Sequence, residues 1–579
     1  MKRIDEAHMN PADKEVFPSA TEGLSDAQRP ATVELTDGAV FELGIGAVKK
    51  QIDDVAVRML AYNGSIPGPT LRVAQGSEIT VTTTNLGDIE STVHWHGLRL
   101  DNRYDGVPSE TQAPIEIGQS YTAKLRFPDA GFYWYHPHIR EDFAQEMGLY
   151  GTIIVEPTDP SYWPAADRDL TITLDDVLIE DGNMAPFLRS GPTFTAMGRF
   201  GNVMLINGET HFSHAAAVGE VVRIYLVNTA NTRIFNFALP GARMKLVGGD
   251  SGRYEREKFV DAVLLAPSER AVVDVLFETP GEVPVEHRTP DRVYDLGVVS
   301  VAEAEAEGEV GSFDELRNNP DFAEERERMG SELERPPDKT LAFVSSMPLL
   351  YGEQDVQAST YQCPMHPEIT ASFPGTCPKC GMGLIPAAAR TPPPEAYVCP
   401  THSEITASWS GTCPRCGATL IASGAPPLTA SVPQHDLEHV HGTDDGLEWE
   451  DLMPEINRGT DPSNMIWQLI DRDTGDVNGA ISWAFKVGDR VKIRLVNEME
   501  GSDHPMHHPF HIHGAGRFLV LARDGAPEDN LVWKDTVLCY AGETVDILLD
   551  VTNPGLWMVH CHIAEHMQSG MMFSFEVTP

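Results

Sequence analysis

The sequence predicts an all-β protein built from three related sandwich units. Most of the chain consists of short runs of β-branched and aromatic residues between Gly and Pro turns, for example EITVTTTN, EVVRIYLVN and RVKIRLVN. These three runs form a repeat, because Gly76 to Asn85, Gly219 to Asn228 and Gly488 to Asn497 each span nine positions. One sandwich unit is therefore expected three times.

A second glycine marks the end of each unit. Gly131, Gly281 and Gly555 each follow a segment that favours a turn. The sequence HPH begins five residues after Gly131, and HCH begins five residues after Gly555, whereas no histidine pair follows Gly281. The middle unit is expected to keep the fold without metal ligands.

An insertion separates the second and third units. Part of it is an acidic, helix-favouring stretch that is predicted to be a linker. The rest holds two copies of a Cys-rich module, beginning YQCPMHP and YVCPTHS, 36 residues apart. We call them the first and second beads. KTLAFVSSM, just before them, is predicted to be the first strand of the third unit. The expected order is a polar segment (1–30), unit one (31–160), unit two (161–310), an acidic linker (311–338) and unit three (339–579) with beads at 361–386 and 397–422.

Charge excludes several classes of partner. The chain has 43 basic and 86 acidic residues and a net charge of −43, so nucleic acid and anionic membranes are not expected to bind it. No apolar run approaches the ~20 residues of a membrane helix. The first residues contain no apolar core of a secretory signal, and the compartment therefore stays open. The oligomeric state also stays open.

Four histidine pairs have the spacing of residues on one face of a strand, because side chains i and i+2 of a strand point the same way. They occur in HWHG, YHPH, HPFHIHG and HCHIAEHM. Imidazole suits Cu, Zn, Fe and Ni, so convergence of the four strands would build one polynuclear metal site. Its eight candidate ligands are His94, His96, His136, His138, His511, His513, His560 and His562.

A second metal site is predicted on the other face of the last strand. Cys561 lies between His560 and His562 and therefore points away from them. His508, His566 and Met571 complete a set of thiolate, two imidazoles and a thioether, which is typical of blue copper. An electron arriving at Cys561 would be one residue from the histidine cluster.

These motifs, in this order, resemble those of the multicopper oxidases, which have three cupredoxin domains of Greek-key β-sandwich fold and include laccases. The resemblance implies four copper ions. It implies type 1 ligands His508, Cys561, His566 and Met571, type 2 ligands His94 and His511, and type 3 ligands His96, His136, His138, His513, His560 and His562. It also implies that Asp105 handles protons. A second acid commonly follows the type 1 histidine, but Met567 stands there, and Glu565 is the remaining candidate.

Each bead has the Cys₃His spacing of a closed tetrahedral metal site, and a bead of this size needs a metal to fold. The beads resemble small heavy-metal-binding domains of a zinc-ribbon kind. Zinc and copper both stay open, and Met365 and Met382 favour Cu(I) sensing or delivery by the first bead. The expected ligands are Cys363, His366, Cys377 and Cys380 in the first bead and Cys399, His402, Cys413 and Cys416 in the second.

The expected function is therefore oxidation of a small reducing substrate with dioxygen as acceptor. Laccase-like oxidation of phenols is the first hypothesis. A metallo-oxidase acting on Cu(I), Fe(II) or Mn(II) in metal detoxification is an alternative that fits the acidic surface and the carboxylates of Glu141, Asp142 and Glu146. A copper-binding or resistance protein without turnover is the rival from another class.

Overall fold

A computed structural model describes residues 16–305, 313–346, 445–499 and 505–579, together with short pieces between 361 and 422. The described chain is almost entirely β, with two packed sheets in each of three units, as the sequence predicts. Each pair of sheets encloses its own core of buried aliphatic and aromatic side chains. Among the described residues, no helix is long and apolar enough to cross a bilayer.

The first unit packs a four-stranded sheet on a five-stranded one. In spatial order the four strands are Val55–Tyr62, Val40–Ile52, Glu78–Leu86 and Ser120–Arg126. The second sheet has the strand order Thr32–Leu35, Thr70–Ala74, Gly151–Glu156, Gly131–His136 and His94–His96. The strand with the HWH sequence is therefore an edge strand, paired antiparallel with the strand that leads into HPH.

The second unit has sheets of six and five strands. The first has the order Val203–Ile206, Arg168–Val177, Val221–Asn228, Arg270–Leu276, Arg243–Gly249 and Gly252–Val260. The second has the order Phe212–Val218, Val293–Glu305, Gly281–Arg288, Phe235–Ala238 and Val263–Leu265. A short hairpin joins Ile179–Glu180 to Asn183–Met184.

The third unit repeats this plan. Its six-stranded sheet has the order Ile466–Asp471, Lys339–Ser346, Arg490–Asn497, Thr544–Val551, Gly516–Arg523 and Ala526–Pro527. Its five-stranded sheet has the order Ala484–Lys486, Met572–Thr578, Gly555–Cys561, His508–Ile512 and Thr536–Cys539. Lys339–Ser346 lies before the beads in the chain but pairs with strands that follow them, so the beads are inserted within this sheet's sequence.

The repeated strands occupy the same place in every unit. Glu78–Leu86, Val221–Asn228 and Arg490–Asn497 each pair parallel with an earlier strand and antiparallel with a later one. Each has an asparagine at or next to its end, and the side-chain amide of that asparagine donates to a backbone carbonyl of the segment that follows, at Ile89, Arg233 and Met506. The shared Asn is thus a structural anchor for the loop.

The remaining elements are short. Among the described residues, three-residue 3₁₀ turns span Asn102–Tyr104, Pro320–Phe322 and Asn478–Ala480. Helices there span Glu141–Ala144, Ala323–Glu334, Pro454–Asn457 and Ala564–Gln568. The Ala323–Glu334 helix, in the predicted linker, packs Met329 with Leu519 and Leu548 of unit three. The beads form three-stranded sheets ordered Thr370–Ala371, Tyr361–Gln362, Ile385–Pro386 and Thr406–Ala407, Tyr397–Val398, Ile421–Ala422.

Candidate metal centre

Eight buried histidines meet between units one and three. In unit one His94 lies opposite His136, and in unit three His511 lies opposite His560, each pair in antiparallel register. Rings of the two units stack across the interface, with centroids 3.8 Å apart for His96 and His511. No member is more than 4% exposed, and the set is the one that the strand alternation predicted: His94, His96, His136, His138, His511, His513, His560 and His562.

The ligand nitrogens fall into three groups, each with its atoms within 4.8 Å of one another. Each group is a triad, and His96 belongs to two of them. Such spacing suits several metal ions held close together by imidazole. The groups are His96, His136 and His562; His138, His513 and His560; and His94, His96 and His511.

Hydrogen bonds to the far side of the rings set their orientation. Four rings place Nδ1 within 2.7–2.9 Å of a backbone carbonyl oxygen, which accepts the proton. The tautomer this requires leaves Nε2 with its lone pair toward the cluster, as in metal sites whose ligands are oriented by outer hydrogen bonds. The four rings are those of His94, His136, His511 and His560.

The charge state of the cluster also fits metal ligation. Burial lowers the pKa of His560 to about 4, and it lowers the pKa of six other rings well below the usual range: His96, His136, His138, His511, His513 and His562. Neutral imidazoles are the form that binds metal. Ring nitrogens of His94, His136, His138 and His511 are buried without a hydrogen-bond partner. Since such groups are costly to bury, metal ions would satisfy them.

Asp105, Glu141 and Glu565 are buried carboxyl groups on or beside the segments that carry the histidines. Asp105 is buried, and its Oδ2 lies 2.8 Å from His513 Nδ1. Glu565 faces unit two, where the Thr232 hydroxyl donates to it over 3.2 Å, and burial raises the pKa of Glu565 to about 7. Glu141 lies closer to the histidines. Its Oε1 is 3.3 Å from His138 Nδ1, and both of its carboxyl oxygens are buried without a hydrogen-bond partner.

Sequence reasoning missed the contribution of unit two. Arg270 Nη1 donates to Asp535 Oδ1 over 2.6 Å, and the same Oδ1 lies 2.9 Å from His96 Nε2. Asp535 also gives its backbone carbonyl to His511. Unit two, which contributes none of the eight histidines, therefore supports the cluster through Arg270. Neither Arg270 nor Asp535 belongs to a motif, so no sequence signal marked them.

A second candidate centre lies behind the cluster. Cys561 Sγ is 3.4 Å from His508 Nδ1 and 3.8 Å from His566 Nδ1. Met571 is buried in the same core, and its backbone carbonyl accepts from the Cys561 amide over 3.1 Å. Burial raises the pKa of the Cys561 thiol. A bound cation would counter this by stabilising the thiolate.

An indole covers the second centre. The Trp467 ring stacks on His566 with centroids 3.9 Å apart, and both side chains are fully buried. Trp467 Nε1 donates to the Thr195 carbonyl of unit two. This cover, which the sequence did not indicate, keeps bulk solvent away from His566.

In the first bead, Cys363, His366 and Cys377 come together. The two sulfur atoms lie 3.6 and 3.7 Å from His366 Nδ1, a spacing that suits one shared ion. The other expected bead ligands lie outside the described residues: Cys380, Cys399, His402, Cys413 and Cys416.

Known proteins share these features. Multicopper oxidase family models match residues 45–160 and 453–579, and a heavy metal binding domain model matches residues 360–387. Copper resistance protein A of Pseudomonas syringae pv. tomato is 26% identical over 47% of this chain and 51% of its own length. Putative laccase-17 of Oryza sativa subsp. japonica is 26% identical over 92% of this chain and 93% of its own.

A solved structure described as a metallo-oxidase, the multicopper oxidase from Campylobacter jejuni, superposes with a TM-score of 0.58. It is 18% identical, and the match covers 98% of this chain and 99% of that one, which shows a common fold. The chain spans about half the length of the copper resistance protein and of several bacterial multicopper oxidases that it matches. With family matches on the first and third units and a heavy metal binding domain between them, the chain belongs to the multicopper oxidase family.

Proposed function

We propose that this chain is an oxidase enzyme that couples four one-electron oxidations of a small substrate to the reduction of dioxygen to water. The observation that carries the proposal is the position of Cys561. It contacts His508 and His566 on one face of the chain, while His560 and His562 on either side of it belong to the eight-histidine cluster. Copper, when bound, would supply one-electron redox chemistry and the binding of dioxygen.

Four ions are proposed for the core. One would be held by His508, Cys561, His566 and Met571, and one by His94 and His511. Two would be held by the triads of His96, His136, His562 and of His138, His513, His560. The distances, the burial and the neutral rings support this division. Each bead is proposed to hold one zinc or copper ion through its Cys₃His set.

Asp105 and Glu565 are proposed to handle protons. Asp105 supports this role by its contact with His513, which also fixes the orientation of that ring. Glu565 supports this role by its position, because it is buried directly before His566 in the chain and accepts from the Thr232 hydroxyl over 3.2 Å.

Phenols are the first proposed substrate class, supported by the laccase of rice among the relatives. The cover over His566 requires that such donors pass electrons through Trp467 or the neighbouring chain, without touching His566. A metallo-oxidase role is the second candidate. It is supported by the net charge of −43, which attracts cations, and by the copper resistance protein among the relatives.

Oxygen uptake by fully copper-loaded protein tests the proposal. We expect uptake with a phenolic donor, with Cu(I), or with both, and four core coppers per chain by metal analysis. Cys561→Ser should remove uptake with either donor, whereas Cys539→Ala, a second buried cysteine in the same core, should retain it. Copper-loaded protein without uptake from any donor would instead support copper storage without turnover.

A further inference from the structure

The first bead is docked on the oxidase core. Its Cys363 and Cys377 pack in one buried cluster with three methionines of unit three, Met558, Met567 and Met572. Each of these five side chains is at most 2% exposed. The Ser109 hydroxyl of unit one also donates to the Lys379 carbonyl of the bead over 2.7 Å. The bead is thus held with Cys363 and Cys377 toward the core.

The three methionines adjoin both candidate copper centres. Met558 lies two residues before His560 on one strand, so the two side chains share a face. Met572 pairs with His560 in antiparallel register on the neighbouring strand. Met567 directly follows His566 on the last helix. The surface beneath the bead therefore adjoins the segments that carry the candidate copper ligands.

The donors form a graded path from the outside inward. His366 is partly exposed, whereas Cys363 and Cys377 are buried against the methionines. Thiolate and thioether sulfur both favour Cu(I) among the biological copper ions. An ion that enters at His366 would meet thiolates first, then thioethers, and then the imidazoles of the core.

We propose that the first bead is the port through which Cu(I) is loaded into the core, with Met558, Met567 and Met572 receiving the ion from Cys363 and Cys377. The inference rests on the proposed copper centres. The transfer is a ligand exchange in which Cu(I) keeps its oxidation state, and the released thiolates take up protons from water. A site where Cu(I) is oxidised as substrate fits less well, because Cu(II) is a poor match for buried thioethers and would have to leave.

Loading of the full-length, copper-free protein tests the port. Stoichiometric Cu(I) is added without oxygen, samples are quenched with a Cu(I) chelator, and air is admitted. Core copper is then read as bound metal and as blue absorption. The variant Met558→Leu/Met567→Leu/Met572→Leu keeps the packed volume nearly constant. We expect it to load about tenfold more slowly and to reach the wild-type copper content on long incubation.

Two comparisons make the result specific. Met244→Leu, a buried methionine in the core of unit two, should load at the wild-type rate. Zinc added before copper should occupy the bead and slow loading as the triple variant does. A triple variant that loads copper as fast as wild type overturns the proposed port. Fast copper loading while zinc stays in the bead overturns it as well. Wild-type protein that retains no core copper would instead overturn the proposed copper centres.

Discussion

Replacing Arg270 by leucine tests how unit two supports the metal centre. Arg270 Nη1 and Nη2 lie 2.6 and 2.5 Å from the two carboxylate oxygens of Asp535, and both side chains are at most 2% exposed. Without Arg270, the charge of Asp535 stays buried beside His96. Removing one partner of a buried pair costs about 3–5 kcal/mol, whereas an exposed pair contributes about 0–1 kcal/mol.

Urea unfolding of the copper-free protein measures this cost. We expect Arg270→Leu to lower the free energy of unfolding by about 3–5 kcal/mol at an unchanged m-value. Arg243→Leu, which breaks the more exposed pairs with Glu278 and Asp314 in the same unit, should cost less than about 1 kcal/mol. The double variant Arg270→Leu/Asp535→Asn should be more stable than Arg270→Leu, because no lone charge remains. A double variant less stable than Arg270→Leu would refute the reasoning that the unpaired charge of Asp535 is the cause of the loss. So would an Arg270→Leu variant whose free energy of unfolding is within about 1 kcal/mol of the wild-type value.

Three further outcomes are expected. Cys561→Ser should abolish blue absorption while the cluster still binds copper by metal analysis; persistent blue colour would disprove its assignment. Burial raises the pKa of Glu110 to about 7, so its stabilising contribution is present below its unfolded pKa and is lost as pH rises through about 7. Glu110→Gln should therefore flatten the decline in urea midpoint between about pH 5 and 8. The exposed control Glu324→Gln should leave that decline unchanged. A Glu110→Gln curve of midpoint against pH that runs parallel to the wild-type curve would contradict this. Deleting residues 361–420 should leave phenol oxidation largely intact. It should promote self-association, measured by light scattering, because it exposes the apolar surface of Met558, Met567 and Met572. Complete loss of folded protein would show that the beads are an integral part of the fold.

The histidine cluster was predictable because strand geometry is strict. Alternation with period two places His94 and His96, and likewise His511 and His513, on one face whatever the surrounding loops do. The same rule puts Cys561 on the opposite face from its neighbours, where the structure brings it to His508. Local periodicity is therefore sufficient to predict which faces of the strands carry these histidines and Cys561.

The contacts of the acidic side chains and the docking of the bead depend on tertiary packing, which the periodicity of the sequence does not encode. Glu141 and Glu565 lie on two short helices that contact each other, yet Glu141 faces His138 and Glu565 faces Thr232. No spacing rule distinguishes these outcomes. The role of Met558 is equally ambiguous in the sequence, because a methionine on an alternating strand is usually a core residue. Only the structure shows that the bead packs on it.

The middle unit shows why a repeat without ligands can still be required for function. Arg270 compensates the Asp535 carboxylate that contacts His96, and Thr232 donates to Glu565 from the same unit. Thr195 accepts from the indole that covers His566. Three separate contacts thus link unit two to the histidine cluster, to a candidate proton carrier and to the indole that covers His566. Since each contact involves a group that belongs to another unit, loss of this unit would disturb the candidate metal centre even though it contributes none of the eight histidines.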